Sequence, residues 1–260
     1  MMKQPVAISL SSFGADTVRH CGQASYFEQV AQAGATHIEL REELLEPSPD
    51  LSAYAALATR HQLKLVYSST LELWQAGAPT PNSALPDVLG QAHAAGAIWL
   101  KVSLGHFTPQ ADFTALATLL AESPVHLLVE NDQTVQGGRI EPLVEFFAGA
   151  QARSVPVGMT FDIGNWLWQG QSVLAAADQL GHRVEYLHCK AVRLNAAGKL
   201  IALPPQACDL DAWFDLLGRF PKGITRAIEY PLQGEDLAAE VTRRVAELAM
   251  LHTAEARAHA

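Results

Sequence analysis

The stretch LLVENDQT, residues 127–134, decides how the rest of this sequence is interpreted. Its apolar run ends in Glu130, as expected for a buried strand that leaves the core and delivers one carboxylate to a pocket. The pattern recurs three times, because VGMTFD ends at Asp162, VEYLH at His188 and ITRAIE at Glu229. Four successive strand-like runs therefore end in side chains that can bind a metal or move a proton.

Short apolar runs alternate with longer helical patterns eight times along the chain. The predicted strands are Val6–Ser12, His37–Arg41, Leu63–Ser69, Ile98–Leu104, Leu127–Glu130, Val157–Asp162, Val184–Val192 and Ile224–Tyr230. The predicted helices are Ser25–Ala33, one from Asp50, Asn82–Ala95, one after Thr108-Pro109, Glu141–Ala152, Ser172–Leu180, Asp209–Phe220 and Asp236–His252. Eight such units predict a parallel (β/α)8 TIM barrel.

The sequence allows one alternative fold and predicts one additional element beside the eight units. A doubly wound open sheet is the alternative, but no glycine-rich turn follows the first strand to support it. After the seventh strand the sequence predicts a small hairpin around Gly198, which would serve either as a lid or as an oligomer contact.

Length and composition limit the class of protein. At 260 residues and 49% hydrophobic, the chain can bury the core of one barrel, and we predict a single domain over residues 1–260. The net charge of −9 argues against nucleic acid and anionic membranes as partners, so we expect a small-molecule ligand.

Three cysteines without a CxxC pair favour a reducing compartment. The N-terminal stretch is too polar for a signal peptide, so we expect a cytoplasmic protein, and a homo-oligomer is compatible with the sequence.

Strand alternation predicts which charged side chains share the barrel interior. The residues that flank the four candidate ligands are apolar and would face the helices. The same alternation points Glu39 and Arg41 inward on the second strand and Lys101 inward on the fourth. Because such barrels place their sites at the carboxyl ends of the strands, the predicted mouth is lined with charge.

Three carboxylates and one imidazole in one pocket cannot all stay ionised and unpaired, since repulsion and desolvation would be too costly. A divalent cation bound by Glu130, Asp162, His188 and Glu229 would remove this cost. The set offers oxygens, one nitrogen and no thiolate, so it favours Mn²⁺ or Mg²⁺ and is compatible with Co²⁺ or Zn²⁺. The alternative is that the glutamates are buried ion-pair partners of lysines.

The order Glu, Asp, His, Glu on strands five to eight resembles the xylose-isomerase-like TIM barrels, the sugar isomerase and epimerase superfamily, over essentially the whole chain. The resemblance implies that the four ligands hold one metal, which binds adjacent oxygens of a keto-sugar. It also implies that Glu130 and Glu229 are the acid and base that exchange the proton next to the carbonyl. Two positions depart from the pattern, because Asn165 and Ala191 stand where many members have His and Asp.

Further stretches, among them SLSSFGAD, ELREEL, TFDIGNWLWQG and HCKAVR, closely resemble the epimerase-like proteins encoded in bacterial 2-ketogluconate utilisation operons. This resemblance implies a keto-sugar acid such as 2-ketogluconate, or its 6-phosphate, as substrate. Glu235 and Asp236 at the start of the last helix would compete with a phosphate, which favours a carboxylate substrate.

Other polar residues are candidates for contacting the substrate. They are Glu39, Arg41, Lys101, Asn165, Lys190 and Arg193. For the cations we weigh binding of a substrate anion equally against a role as internal counterions of the charged mouth. Arg139 is a weaker candidate after the Gly137-Gly138 turn. We expect Trp166 and Trp168 to pack their loop onto the barrel rather than to stack on a sugar.

The sequence therefore favours a divalent-metal-dependent isomerase or epimerase that acts by proton transfer next to the carbonyl of a keto-sugar or keto-sugar acid. One alternative is a metal-dependent dehydratase of a polyol or cyclitol acid, and another is a sugar-acid-binding barrel without turnover. An apurinic endonuclease on the same fold would need a basic face, which the net charge argues against.

Overall fold

The computed structural model describes residues 4–251, and its eight main strands close into a parallel barrel. The barrel strands are β1 (Val6–Ser9), β2 (His37–Arg41), β3 (Lys64–Trp74), β4 (Ala97–Gly105), β5 (His126–Glu130), β6 (Val157–Asp162), β7 (Val184–Cys189) and β10 (Thr225–Ile228). Each strand pairs with the next one around the barrel, and β10 closes it by pairing in parallel with β1. The predicted (β/α)8 TIM barrel is confirmed.

Helices connect the strands. They are α1 (Ala15–Cys21), α2 (Phe27–Gln32), α3 (Leu51–Arg60), α4 (Leu85–Ala94), α5 (Phe113–Ala121), α6 (Ile140–Ala152), α7 (Val173–Leu180), α8 (Ala207–Leu217) and α9 (Leu237–Met250). Asp50, Ser172 and Asp236 lie at predicted helix starts, and each side chain accepts a backbone N–H of the first turn, which fixes where the helix begins. The predicted end of the last helix at His252 lies outside the described residues. Within residues 4–251 no helix is long and apolar enough to cross a membrane.

Apolar residues form two layers, as strand alternation requires. The larger layer lies between the strands and the helices. The smaller one fills the barrel interior two residues before the charged positions, with Trp99 packed against it. Its members are Ala7, Val66, Leu128, Tyr186 and Ala227. The amino-terminal half of the interior is therefore filled by an apolar plug beneath the charged positions.

The predicted seventh strand is too long. β7 ends at Cys189, and the following residues form β8 (Ala191–Leu194), which pairs antiparallel with β9 (Leu200–Leu203) in a separate hairpin. The chain turns near Gly198, at the predicted position, where the glycine has a positive φ of 71°. Sequence periodicity did not reveal where β7 ends and β8 begins, because the apolar pattern continues from one strand into the other.

Two connections also differ from the predictions. Helix α1 was not predicted, and the expected Ser25–Ala33 helix is a 3-10 turn at Gln23–Tyr26 followed by the shorter α2. The helix expected after Thr108-Pro109 begins only at Phe113, because Asp112 rather than Thr108 caps it by accepting the N–H groups of Thr114 and Ala115.

Strand β3 runs five residues past its predicted end and pairs with β4 across a register shift. Gly105 ends β4 with φ of 68°, and a Cβ there would lie 2.4 Å from the carbonyl oxygen of Trp74. Only glycine allows the two chains to approach this closely at that backbone conformation.

Candidate metal centre

Four adjacent strands deliver the candidate ligands to one point at the carboxyl end of the barrel. Glu130 ends β5, Asp162 ends β6, His188 is the next-to-last residue of β7, and Glu229 follows β10 directly. The register places Asp162 opposite His188, and the N–H of Glu229 bonds the carbonyl of Cys189. One donor atom from each of the four ligands lies within 4.8 Å of the other three.

The donor atoms approach one another without forming hydrogen bonds. His188 Nδ1 lies 3.0 Å from Glu130 Oε1, 3.1 Å from Glu229 Oε2 and 3.8 Å from Asp162 Oδ2. Among the described residues, His188 Nδ1 and Glu130 Oε1 are buried without a hydrogen-bond partner, and Asp162 Oδ2 is buried with the ammonium of Lys190 beside it. Buried polar atoms in folded proteins are normally satisfied, and a divalent cation shared with Asp162 Oδ2 would satisfy the two unpaired atoms. The residues therefore fit a metal.

The second nitrogen of His188 is held by a carboxylate. Nε2 lies 2.8 Å from Glu39 Oε2, and the other oxygen of Glu39 accepts a hydrogen bond of 3.0 Å from Ser9 Oγ. In the neutral tautomer that carries its proton on Nε2, which is the form that can bind a metal, the lone pair of Nδ1 would be directed at the cluster. This is the carboxylate–histidine arrangement that orients metal ligands in proteins.

Asp162 is fixed from three directions. Its Oδ1 accepts the backbone N–H groups of Gly164 at 2.8 Å and Asn165 at 3.0 Å. The side chain of Asn131 bonds both the N–H and the carbonyl oxygen of Asp162, and Asn165 in turn donates to the carbonyl oxygen of Asn131. These bonds leave only Oδ2 of Asp162 facing the cluster.

Two buried lysines pair with the candidate ligands. Lys101 Nζ lies 2.5 Å from Glu130 Oε2, and Lys190 Nζ lies 2.7 Å from both Asp162 Oδ2 and Glu229 Oε2. Their roles as internal counterions, which the sequence left open, are therefore present in the structure. Contact of either lysine with a substrate stays a prediction.

Arg41 forms a third link between the carboxylates. Its Nη1 lies 3.0 Å from Glu229 Oε1 and 3.3 Å from Glu39 Oε1, while Nε donates to Glu43. Arg41 and Glu39 thus both reach the cluster from β2, at inward positions of the strand.

The charges of this cluster shift the pKa values of its members. Burial alone would lower the pKa of His188, but the carboxylates of Glu229, Glu39 and Glu130 raise it well above the usual range. Burial alone would raise the pKa of Glu229, but the charges of His188 and Lys190 hold it well below the usual range. Glu130 is lowered in the same way, against burial, by Lys101 and His188. Both glutamates are therefore ionised at neutral pH.

Arg193 lies away from this cluster. It is on β8, where its Nη2 bonds the carboxylate of Asp209 and lies 3.3 Å from Gln206 Oε1, at the start of α8. Because β7 ends at Cys189, the alternation that would direct later residues into the mouth stops before Arg193. Arg139 is exposed at the start of α6, and Trp166 is buried in its loop against Phe161.

Two residues of the site were not identified from the sequence. Ser9 holds Glu39, and the signal for it was its inward position on β1, in register with Glu39. Tyr186 packs edge-on beneath His188 with ring centroids 4.9 Å apart, and its inward position two residues earlier on β7 was the signal for this contact.

Comparison with solved structures places the fold in a known group. A xylose isomerase domain containing protein from Salmonella typhimurium LT2 aligns with a TM-score of 0.71, 14% identity and coverage of 97% of this chain and 98% of that one. An L-ribulose 3-epimerase gives a TM-score of 0.67 at 16% identity, with coverage of 99% and 97%. The IolI protein with a bound zinc atom gives 0.64 at 14% identity, with coverage of 99% of both chains.

At these identities the likeness shows the fold, and the chain therefore has the fold of the xylose isomerase-like TIM barrels. No protein-family model matches the sequence. No curated protein matches it at a significant level.

Proposed function

We propose that this chain is a divalent-metal-dependent isomerase or epimerase that moves a proton next to the carbonyl of a small keto-sugar or keto-sugar acid. The observation that supports this most strongly is the convergence of Glu130, Asp162, His188 and Glu229, in which the buried atoms His188 Nδ1 and Glu130 Oε1 have no hydrogen-bond partner. The epimerase among the structural relatives supports the same class of reaction, since its fold is shared.

The proposed metal would be held by the four residues of this cluster. When bound, it would stabilise the negative charge that develops on the substrate oxygens as the proton leaves. Three carboxylates and one imidazole favour Mn²⁺ or Mg²⁺, and Co²⁺ or Zn²⁺ also bind such a set. The zinc atom in the IolI relative supports a metal in a barrel of this kind.

The two glutamates would transfer the proton from different sides of the substrate. Glu130 and Glu229 come from the outer members of the row β5, β6, β7 and β10. Lys101 holds Oε2 of Glu130, and Oε1 faces the cluster, where the metal and the substrate would bind. Arg41 and Lys190 hold the two oxygens of Glu229. An epimerisation requires removal of a proton on one face and its return on the other, which two carboxylates can perform.

The substrate would carry a carboxylate rather than a phosphate. Phosphates in such barrels commonly bind at helix N-termini after the last strands. Here Asp236 Oδ1 accepts the N–H of Ala239 and so occupies the N-terminus of α9 with a negative charge of the protein itself. Together with the sequence resemblance, this makes 2-ketogluconate the first compound of a substrate panel. The proposed substrate contacts are Glu39, Arg41, Lys101, Asn165 and Lys190, and Arg193 would join them only by leaving Asp209.

The test is turnover by Glu130→Gln and Glu229→Gln on a panel of ketoses and keto-sugar acids. Each change removes a group that accepts or returns the proton, so turnover falls at least about 100-fold. A matched control is Glu185→Gln, because Glu185 lies on β7 at the opposite end and pairs with His126. Retained turnover in both site variants would refute the assignment of acid and base.

Product mass separates the alternatives. A dehydratase loses water, whereas an isomerase or epimerase gives a product of unchanged mass. A sugar-acid-binding barrel would be stabilised by its ligand without any solvent exchange at the substrate carbon.

A further inference from the structure

Lys190 contacts two of the four candidate metal ligands, and it does so through the oxygens that face the cluster. Its Nζ lies 2.7 Å from Asp162 Oδ2 and 2.7 Å from Glu229 Oε2. The same oxygens lie 3.8 Å and 3.1 Å from His188 Nδ1. An ammonium group therefore lies against oxygens that the metal would use.

We propose that Lys190 is an internal competitor of the metal: its ammonium bridges two of the ligands in the metal-free protein and leaves them when a divalent cation binds. This inference rests on the metal site proposed above. It gives Lys190 a positioning role, since it would keep the ligands together without metal and would lower the affinity for metal.

Lys101 shows what a lysine without this role looks like. It is buried to a similar degree, with 3% of its surface exposed against 6% for Lys190. Its Nζ contacts Oε2 of Glu130, whereas Oε1 of Glu130 is the oxygen near His188. Lys101 thus neutralises a ligand from outside the cluster, and a metal could bind without displacing it.

The stem of Lys190 has little freedom, so the change must occur at its charged end. A Cβ on Gly164 would lie 2.7 Å from Lys190 Cγ and 2.6 Å from Val192 Cγ2. Gly164 is therefore the residue that leaves space for the stem beside the sixth loop. The methylene groups nearest the backbone are confined, while Nζ extends towards the mouth.

Electrostatics gives the reason for the displacement. A metal about 2.1 Å from these oxygens and an ammonium still in contact with them would lie within about 5 Å of each other. In a buried site the repulsion between them is weakly screened. With His188 neutral, as a metal ligand must be, the cluster contains three cations beside four carboxylates, so a dication would reverse its net charge unless one cation moved.

The experiment compares Mn²⁺ affinity in chelator-treated wild-type protein, Lys190→Met and Lys101→Met by titration calorimetry. Lys190→Met should raise the affinity about tenfold or more, because it removes both the repulsion and the contact with the shared oxygens. Lys101→Met removes the same charge and should raise it only about two- to threefold. Unchanged or weaker binding by Lys190→Met, or equal gains in both variants, would overturn the inference.

A second variant and a second metal test the inference in case Lys190→Met does not fold. Lys190→Gln removes the charge but keeps an amide NH2 that can donate to the carboxylates. Its Co²⁺ affinity, measured by absorption titration, and its Co²⁺-induced rise in Tm should both exceed those of wild type. If none of the proteins binds Mn²⁺ or Co²⁺, the proposed metal site itself fails and the inference fails with it. If all bind equally, only the role of Lys190 is refuted.

Discussion

Two buried histidines, His188 and His37, lie at opposite ends of the barrel interior and have opposite surroundings. His188 is fully buried among carboxylates, which raise its pKa well above the usual range against the effect of burial. His37 is 4% exposed, and its pKa is lowered to about 4 by burial and by the charge of Lys64. Burial is common to both, so the neighbouring charges decide which histidine can belong to a chemical site.

The two histidines are joined by a column of aromatic rings. His37 stacks on Trp99 at 5.7 Å, Trp99 contacts Tyr186 at 5.5 Å, and Tyr186 contacts His188 at 4.9 Å. The interior therefore changes from an apolar plug to a charged cluster over a few residues of strand. Strand alternation directs side chains into the interior at both ends of the barrel. Only at the carboxyl end are these side chains charged groups that could bind a metal or move a proton.

The largest expected difference between the two ends is in metal affinity. His188→Gln removes one ligand of the proposed metal, so the affinity for Mn²⁺ should fall at least about 1,000-fold. His37→Gln is the matched control, since the same residue type is changed in the same barrel, and it should stay within about twofold of wild type. Titration calorimetry measures both. Similar affinities in the two variants would remove the distinction between the ends.

The second prediction concerns acid stability and His37. The unfolded chain takes up a proton near the ordinary histidine pKa of about 6.5, whereas folded His37 does so only near about 4. Its contribution to stability is therefore present above about pH 6.5 and is lost as the pH falls towards 4, by up to about 3 kcal/mol.

His37→Phe should remove this contribution, because it keeps a ring against Trp99 without a titrating group. Urea unfolding of the variant and the wild type at pH 7 and pH 4.5 measures the difference between their pH dependences. Parallel pH profiles for the two proteins would mean that His37 titrates normally in the folded state.

The smallest expected effect is on Mn²⁺ affinity when the carboxylate that orients His188 is changed. Glu39→Gln keeps an oxygen for His188 Nε2 but loses the charge, so Mn²⁺ affinity should fall about tenfold. Glu43→Gln is the control, because Glu43 is the more exposed partner of Arg41 and should have no measurable effect. A loss of equal size in both would point to a general charge effect instead of orientation of His188.

Much of the fold follows from the sequence because each strand of a parallel barrel is a short apolar run bounded by polar residues. Elements that depend on tertiary pairing were not predictable in this way. The segment after Cys189 continues the apolar pattern, and only its pairing with β9 shows that it has left the barrel. Helix α1 lies in a connection where Ala15–Cys21 has one buried side chain, Val18, so no apolar period marked it.

The candidate site also has a part that the sequence predicts and a part that depends on tertiary pairing. The strand ends identified Glu130, Asp162, His188 and Glu229 as neighbours because the carboxyl ends of all strands meet at one mouth. The partners of the cations depend on register and side-chain length, which a single sequence does not contain. Lys190 therefore could not be assigned to Asp162 in advance, and Arg193 was grouped with the mouth although it bonds Asp209.

The central claim is that this cluster catalyses metal-dependent proton transfer next to a carbonyl. The most direct measurement follows deuterium from solvent into 2-ketogluconate and a panel of ketoses, before and after the metal is removed with a chelator and returned as Mn²⁺. We expect exchange at the carbon next to the carbonyl that disappears when the metal is removed and returns when it is restored. Exchange that persists in the metal-free protein, or its absence from every compound with the metal-loaded protein, would contradict the account.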